Sequence, residues 1–152
     1  MIRLVRTDSS NPDFQKLVRS LDTYLADRDG DDHAFYDQYN KIDAIKNVIV
    51  AYENENRVGC GAFKEYEKGT AEIKRMFVPE ENRGHGIASK VLSELEKWAL
   101  EEGFDICILE TVADSGAVFL YKKSGYEIIP NYGQYVGMNK SCCMQKTLKN
   151  TH

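Results

Sequence analysis

Three strand-like runs follow one another in the middle of the chain without a helix between them. They lie at residues 48–52, 58–66 and 70–78, and the turn-like sequences ENEN and EKG separate them. This order predicts an antiparallel meander. The next strand-like run, at residues 106–111, is reached through a helical pattern, and a helix that joins two strands of one sheet makes that pair parallel. The sequence therefore predicts a mixed sheet.

The first third of the chain predicts one more strand and a helix. Residues 2–6 alternate apolar and polar side chains, as a half-buried strand does. Asn11 followed by Pro12 is typical of a helix cap and a first helical turn, and the helical pattern runs to about residue 26. The polar stretch DRDGDDHAFYDQYNKID that follows predicts a loop with a short helix at most.

The last third predicts helices that alternate with strands. Apolar side chains recur at helical spacing over about residues 86–102, and Gly103 ends the pattern. We expect Asp114 to cap a short helix that Gly125 closes. Two more strands are predicted at about residues 126–129 and 141–148.

Composition limits the size and the class of the protein. A chain of 152 residues with 42% hydrophobic residues can bury one core but not two ordinary ones. We therefore expect residues 1–152 to form a single α/β domain with about seven strands, mostly antiparallel, and about four helices. The net charge of −4 argues against nucleic acid and anionic membranes as partners. Because the chain shows neither a membrane-length apolar run nor a signal peptide, we expect a cytoplasmic protein.

Cysteines and histidines give no support to a metal site. Cys60, Cys107, Cys142 and Cys143 include no C-x-x-C pair, and each lies in a strand-like segment. We expect them to be reduced and buried as small hydrophobic residues. The three histidines are scattered, so we expect no bound metal.

The string RGHGIAS at residues 83–89 places two glycines at the start of the second helix. Gly84 and Gly86 allow a tight turn and a close approach of a ligand to the main chain, and the helix N-terminus directs unpaired N–H groups outward. Arg83 adds a guanidinium that can hold a phosphate through two N–H groups. The physical interpretation is a cradle for a diphosphate, although a helix entry without a ligand would look similar.

Two nucleotide-binding motifs match this cradle poorly. The ATP-type phosphate loop requires G-K-[ST], which is missing here. The dinucleotide fingerprint fits Gly84, Gly86 and Ser89, with Glu110 about twenty residues further on. Its turn, however, follows its strand almost directly, whereas residues 79–83 intervene here, and its strand should open the sheet.

Two strings together resemble the GNAT superfamily of N-acetyltransferases. RMFVPEENRGHGIAS is similar to the acetyl-coenzyme A (acetyl-CoA) motif of that superfamily, and AVFLYKKSGYEII, about forty residues later, is similar to its L-Y-x-K-x-G-[FY] signature. The order of elements also matches along nearly the whole chain. One departure is that Asp114, Ser115 and Gly116 stand where many relatives carry an asparagine beside the cofactor.

The resemblance implies a splayed parallel pair of strands and the transfer of an acetyl group from acetyl-CoA to a primary amine by direct attack in a ternary complex. It implies that the main chain of Met76, Phe77 and Val78 holds the pantetheine and the thioester. The glycine loop would hold the diphosphate, and its residues are Arg83, Gly84, His85, Gly86, Ile87, Ala88 and Ser89. We expect no chemical role for the His85 side chain.

Direct attack requires that a proton leave the amine and that the departing thiolate gain one. By resemblance, Tyr121 is the candidate general acid, and Glu72 is the candidate general base, acting directly or through water. Glu72 precedes Met76 by four strand positions, so alternation directs both to one face of the sheet. The alternatives are packing for Tyr121 and an exposed strand glutamate, paired with Lys74, for Glu72. Glu110, at the end of the following parallel strand, is the rival base.

Acceptor specificity in such folds comes from the polar stretch after the first helix and from the loop between the last two strands. The first carries Asp31, Asp32 and Tyr36, and the second, NYGQYVGMNK, carries Tyr132 and Tyr135. Acidic groups among tyrosines favour a small cationic amine, although ordinary loop residues would look alike. Acetylation of a protein at a lysine or an N-terminus is the alternative, as is a non-catalytic domain that binds coenzyme A. The resemblance also implies a homodimer.

Overall fold

The computed structural model of the protein describes residues 1–29, 44–113 and 115–148, and for residues 24–29 the backbone only. Three sequence predictions lie outside the described residues: the loop that follows the first helix, the acceptor contact of Tyr36 and the helix cap at Asp114. The first three residues of the predicted loop, 27–29, are described, and they continue the helix instead.

Seven strands and three α-helices are formed by the described residues. Their order is β1 (Ile2–Thr7), α1 (Pro12–Asp29), β2 (Asn47–Glu53), β3 (Asn56–Glu67), β4 (Thr70–Phe77), α2 (Ile87–Glu101), β5 (Ile106–Val112), α3 (Gly116–Lys123), β6 (Glu127–Ile129) and β7 (Ser141–Thr147). Each predicted strand and each of these helices is therefore confirmed in type and approximate position. The sequence predicted about four helices, one more than these residues form.

The strands form one mixed sheet in the order β1-β2-β3-β4-β5-β7-β6. β1 pairs antiparallel with β2, β2 with β3, and β7 with both β5 and β6. β4 and β5 pair in parallel, as the helical connection between them required, and this pairing covers only Thr70–Glu72 against Ile106–Ile108. Both strands continue beyond it, to Phe77 and Val112. The predicted mixed sheet with a splayed parallel pair is confirmed.

The predicted cap of α1 is also confirmed. Asn11 Oδ1 accepts hydrogen bonds from the backbone N–H groups of Asp13, at 2.9 Å, and Phe14, at 3.0 Å. These are two of the N–H groups that a helix leaves unpaired at its start. Pro12 at the first helical position has no N–H to satisfy, so it suits this site.

The chain divides into two compact units. Unit 1 comprises Met1–Lys64 and Lys74–Leu95, and unit 2 comprises Glu65–Ile73 and Glu96–His152. In unit 1, the apolar face of α1 packs on one face of β2 and β3. The buried residues of this core are Phe14, Leu17, Val18, Ile45, Val48, Val50, Cys60 and Ala62.

On the opposite face of β3 in unit 1, two glycines leave bare backbone beneath α2. A Cβ atom added to Gly61 would lie 2.5 Å from Met76 Sδ, 2.8 Å from Leu95 Cδ1 and 2.9 Å from Val91 Cγ1. Gly59, on the same face by strand alternation, is crowded by Ile87 at 2.8 Å. Glycine at these two positions therefore lets α2 lie close against the sheet.

In unit 2, a partly buried polar network joins α2 to β7. Glu96 accepts a hydrogen bond from Tyr126 Oη at 2.9 Å and an ion-paired hydrogen bond from Lys146 Nζ at 2.8 Å. All four cysteines are free and buried in strands, as the sequence predicted. Among the described residues, no helix is long and apolar enough to cross a membrane.

The packing of α2 on Gly61 leads to the first prediction. We expect Gly61→Ala to lower the free energy of unfolding by about 1–3 kcal/mol, because the added methyl group overlaps three side chains. The matched control is Gly116→Ala, where no described residue lies within 4 Å of the added Cβ, and we expect a change below about 0.5 kcal/mol. Urea unfolding of both variants measures the difference, and equal stabilities would contradict the close packing of α2 on β3.

Candidate active site

The strand that carries the candidate site, β4, is interrupted at Arg75. This residue has φ 59°, in the left-handed region that side chains other than glycine rarely adopt. Its buried guanidinium donates a hydrogen bond from Nη1 to Asp22 of α1 at 3.0 Å, and its carbonyl accepts one from Cys60 Sγ at 3.4 Å. These contacts hold the irregular backbone in place. Strand alternation cannot be extended through such a residue, so the argument that Glu72 and Met76 share a face ends at Arg75.

The candidate thioester segment follows directly, in unit 1. The Met76 side chain lies over Gly61, and Phe77 packs against the core beneath α1. Both side chains therefore serve packing, and the contact of the main chain of residues 76–78 with the coenzyme stays a prediction.

The glycine loop is held by hydrogen bonds and has open space beside its two glycines. A short 3-10 turn, Glu80–Asn82, precedes it, and Arg83 Nε donates a hydrogen bond to the Val78 carbonyl at 2.8 Å. Gly84 has φ 87° and Gly86 has φ 75°, and no described atom lies within 4 Å of a Cβ added at either. Glycine is needed here for its backbone conformation rather than for lack of room. At the N-terminus of α2, this leaves exposed backbone that a phosphate can approach.

A cleft of about 530 Å³ lies beside this segment in unit 1, between α1, the β2–β3 turn and residues 79–82. Phe77 forms part of its wall. Four carboxylates and two cations line the cleft. The carboxylates are Glu53, Glu55, Glu80 and Glu81, and the cations are Lys16 and Arg57. This charge balance opposes a diphosphate and favours a cationic ligand.

In unit 2, Glu72 is buried. Its side chain lies on β4, is 4% exposed, and accepts a hydrogen bond from Tyr132 Oη at 2.8 Å. The alternative interpretation of Glu72 as an exposed strand glutamate is therefore wrong. Glu72 is also the last residue of β4 in the parallel pairing with β5, opposite Ile108.

Glu110 lies two residues beyond that pairing, on β5, and is only half-buried. It accepts a hydrogen bond from Ser141 Oγ at 2.8 Å, and Ser141 is the residue opposite Val112 at the start of β7. Burial of the tyrosines is the main cause that raises the pKa of Tyr121 and of Tyr135, and the negative charge of Glu110 is the second. The two candidate bases thus belong to one group of carboxylates and tyrosines in unit 2.

Tyr121 is the buried residue of α3, at 7% exposure. Its ring lies edge-on to Tyr126, with 5.8 Å between centroids. Burial raises the pKa of Tyr121, and the negative charge of Glu110 adds to the effect. The hydroxyl therefore stays protonated through the neutral range and can donate a hydrogen bond, which is the state that a general acid requires.

Sequence reasoning found most of this group but missed two members. Ser141 and Tyr66 carry no local signal, because Ser141 reaches Glu110 across a strand pair and Tyr66 reaches Tyr132 across 66 positions of sequence. Ser115 stands at the N-cap of α3 and donates its hydroxyl hydrogen bond to the Val112 carbonyl at 2.8 Å, rather than to the helix. Among the residues described, no cluster of three or more histidine, cysteine or acidic side chains is arranged to hold a metal ion.

Comparison with known proteins identifies the class to which this fold and site belong. The model of the acetyltransferase (GNAT) family matches residues 12–126. The chain belongs to this family and is an acyl-CoA-dependent N-acetyltransferase. A relative from Azospirillum brasilense, described as an IAA acetyltransferase, is 32% identical over 136 residues, which are 88% of this chain and 89% of the relative.

Solved structures show the same fold. An acyl-CoA N-acyltransferase from Klebsiella pneumoniae superposes with a TM-score of 0.80 at 24% identity, over 98% of this chain and 99% of that one. A GNAT acetyltransferase from Elizabethkingia anophelis, solved with acetyl-CoA bound, superposes with a TM-score of 0.69 at 20% identity, over 97% and 98% of the two chains.

The buried thiols and phenols lead to a prediction on pH. Burial raises the pKa of Cys60 and Cys107 to about 12, and it raises the pKa of Tyr121 and Tyr126 as well. When the pKa of a group is higher in the folded than in the unfolded state, the folded state holds its proton more tightly. The stability that this gives is fully present below the unfolded pKa, and it is lost as the pH rises through the folded pKa. We therefore expect the free energy of unfolding to fall from about pH 9 upwards.

Urea unfolding at constant ionic strength between pH 7 and 11 measures this loss. Cys60→Ala is the informative variant, since it should show a shallower decline above about pH 9 than the wild type. A free energy of unfolding that stays constant to pH 11 would contradict the raised pKa values.

Proposed function

We propose that residues 1–152 act as one N-acetyltransferase domain that transfers the acetyl group of acetyl-CoA to a primary amine of a small molecule, by direct attack in a ternary complex. The observation that carries the proposal is the glycine loop: two glycines with positive φ, open on their Cβ side, at the N-terminus of α2. Membership of the GNAT family supports the same cosubstrate, since that family uses acetyl-CoA.

Acetyl-CoA would supply the activated thioester. The main chain of residues 84–89 would hold its diphosphate, because N–H groups and the positive end of the α2 dipole favour an anion there. Arg83 would add charge at the entrance to this loop, and one of its N–H groups already fixes the loop through the Val78 carbonyl. The main chain of Met76, Phe77 and Val78 would hold the pantetheine and the thioester.

Within unit 2, Glu72 would take the proton from the amine, directly or through water, and Tyr121 would donate its proton to the leaving sulfur. Burial keeps the phenol of Tyr121 protonated at neutral pH, so its hydroxyl is available to donate a hydrogen bond to that sulfur. Glu110 is the rival base, and its greater exposure supports it.

The charges of the site support a cationic acceptor, and the relationship to a curated protein supports a small one. Glu72 and Glu110 lie among the tyrosines of unit 2, Tyr132 and Tyr135 included, and carboxylates also outnumber cations around the unit 1 cleft. The relative described as an IAA acetyltransferase supports a small-molecule substrate. Tyr36 stays a predicted acceptor contact, and the cytoplasmic location and the homodimer stay predictions, the latter checked by the mass in solution.

Ligand binding tests the cradle first. We expect acetyl-CoA and coenzyme A, but not NADH or ATP, to raise the melting temperature. A ligand at 100 times its Kd adds about 2.7 kcal/mol to the free energy of unfolding. Gly86→Ala should raise the Kd of coenzyme A about tenfold, because alanine resists φ 75° and its methyl group would occupy the open space beside the loop.

The control for this variant is Gly103→Ala. Gly103 has φ 97° and, like Gly86, no described atom within 4 Å of an added Cβ, but it lies at the far end of α2. It therefore carries the same backbone strain without the loop, and calorimetry should give it the wild-type Kd. Stabilisation by NADH alone would remove the acetyl-CoA assignment.

Glutamine substitutions test the base. We expect Glu72→Gln to lower kcat at least about 100-fold, the usual contribution of a general base, and Glu110→Gln to lower it less. Free thiol release with an amine acceptor taken from a screen of small amines measures both, and coenzyme A affinity is the control for folding. If neither variant loses more than a few-fold, both base assignments are wrong. Release of thiol with no amine acceptor in the screen would instead favour a non-catalytic domain or a protein substrate.

A further inference from the structure

We infer that Tyr132 is a positioning residue that holds the Glu72 carboxylate in one orientation for the reaction. The inference rests on the proposed function, in which Glu72 is the general base. It changes the interpretation of Tyr132, which the sequence predicted as an acceptor contact.

The contact itself is short and lies within unit 2. Tyr132 Oη donates a hydrogen bond to Glu72 Oε2 at 2.8 Å, across 60 positions of sequence. Glu72 is 4% exposed as a whole residue and is the last residue of β4 in the parallel pairing. A hydrogen bond to a buried carboxylate is stronger than one between neutral groups, so this contact restricts the rotamer of Glu72.

The Tyr132 ring is fixed by two other tyrosines. The Tyr66 ring meets it edge-on, at 5.2 Å between centroids and 72° between planes, and the Tyr135 ring does so at 5.6 Å and 89°. Both geometries are favourable for aromatic pairs. Because the ring is held on two sides, its hydroxyl is directed at Glu72 before any substrate binds.

The backbone beneath the ring is fixed as well. Asn131 Nδ2 donates hydrogen bonds to the carbonyls of Tyr135 and Met138, each at 3.0 Å, and the Tyr135 N–H bonds to the Tyr132 carbonyl at 2.9 Å. Gly133 follows Tyr132 with φ 52°, and Tyr66 Oη lies 3.4 Å from a Cβ added there. The loop between β6 and β7 thus presents Tyr132 from a closed, hydrogen-bonded turn.

The protonation of Tyr132 agrees with a positioning role. Burial and then the charge of Glu72 raise the pKa of Tyr132. The phenol therefore remains a hydrogen-bond donor throughout the neutral range and is not itself a base there. Its contribution to the reaction would pass through Glu72.

The test is Tyr132→Phe, which keeps the ring and its two edge-on contacts and removes only the hydroxyl. We expect kcat for the amine identified by the screen to fall about tenfold, the usual effect of losing a hydrogen bond to a charged group. The KM for that amine and the Kd of coenzyme A should change less than about twofold. Tyr66→Phe is the matched control, since it removes the hydroxyl of a ring that meets Tyr132 edge-on and leaves the hydrogen bond from Tyr132 to Glu72 in place, and it should keep the wild-type kcat.

A double-mutant cycle separates positioning from general support of the fold. In the Glu72→Gln background, Tyr132→Phe should cause no further loss of kcat, because the carboxylate that it holds is already gone. An equal loss in both backgrounds, an unchanged kcat in the single variant, or a loss confined to KM would overturn the inference.

Two further measurements keep the outcome clear. If Tyr132→Phe does not fold, Asn131→Ala, which loosens the turn, replaces it. This substitution should lower kcat when Glu72 is present and should cause no further loss in the Glu72→Gln background. Any other pattern overturns the inference. Failure of the proposed base shows itself separately, as full activity of Glu72→Gln alone. Failure of the acetyl-CoA assignment shows itself in the binding of coenzyme A.

Discussion

The parallel pairing of β4 with β5 stops after three residues of each strand, and the rest of the candidate site depends on that limit. Glu72 is the last paired residue of β4, so its backbone is held by the sheet while its side chain reaches the tyrosines of unit 2. Three residues later, Arg75 takes a left-handed conformation within the same strand. The residues that follow, 76–78, are where the family resemblance locates the coenzyme segment.

Glycine serves two different purposes in unit 1. At Gly61 the absence of a side chain allows close packing, because a methyl group would overlap the side chains on β4 and α2. At Gly84 and Gly86 there is room for a methyl group, and the backbone conformation alone requires glycine. The first use stabilises the fold, whereas the second leaves exposed main chain at a helix N-terminus, where an anion is favoured.

Unit 2 brings together carboxylates and phenols, and burial keeps the phenols protonated. Burial raises the pKa of Tyr121, Tyr132 and Tyr135, and the charges of Glu72 and Glu110 add to this, so these phenols act as hydrogen-bond donors at neutral pH. Donors that stay protonated beside acceptors suit a reaction in which one proton is removed and another is supplied. A cluster of this kind also costs little when it is fully hydrogen-bonded, since buried polar groups are expensive only when unpaired.

The sequence by itself determined the secondary structure, the mixed sheet and the position of the glycine loop. These follow from local rules: periodicity gave α2, Asn11 and Pro12 predicted the start of α1, and the helical connection made β4 and β5 parallel. Two properties were decided only by the tertiary structure, because both depend on contacts between distant residues. Arg75 adopts φ 59° while its side chain donates a hydrogen bond to Asp22 and its carbonyl accepts one from Cys60. Glu72 is buried and accepts a hydrogen bond from Tyr132, 60 positions away. Strand alternation depends only on local sequence, which identifies neither set of partners. It therefore predicted a regular strand and did not determine whether Glu72 is exposed.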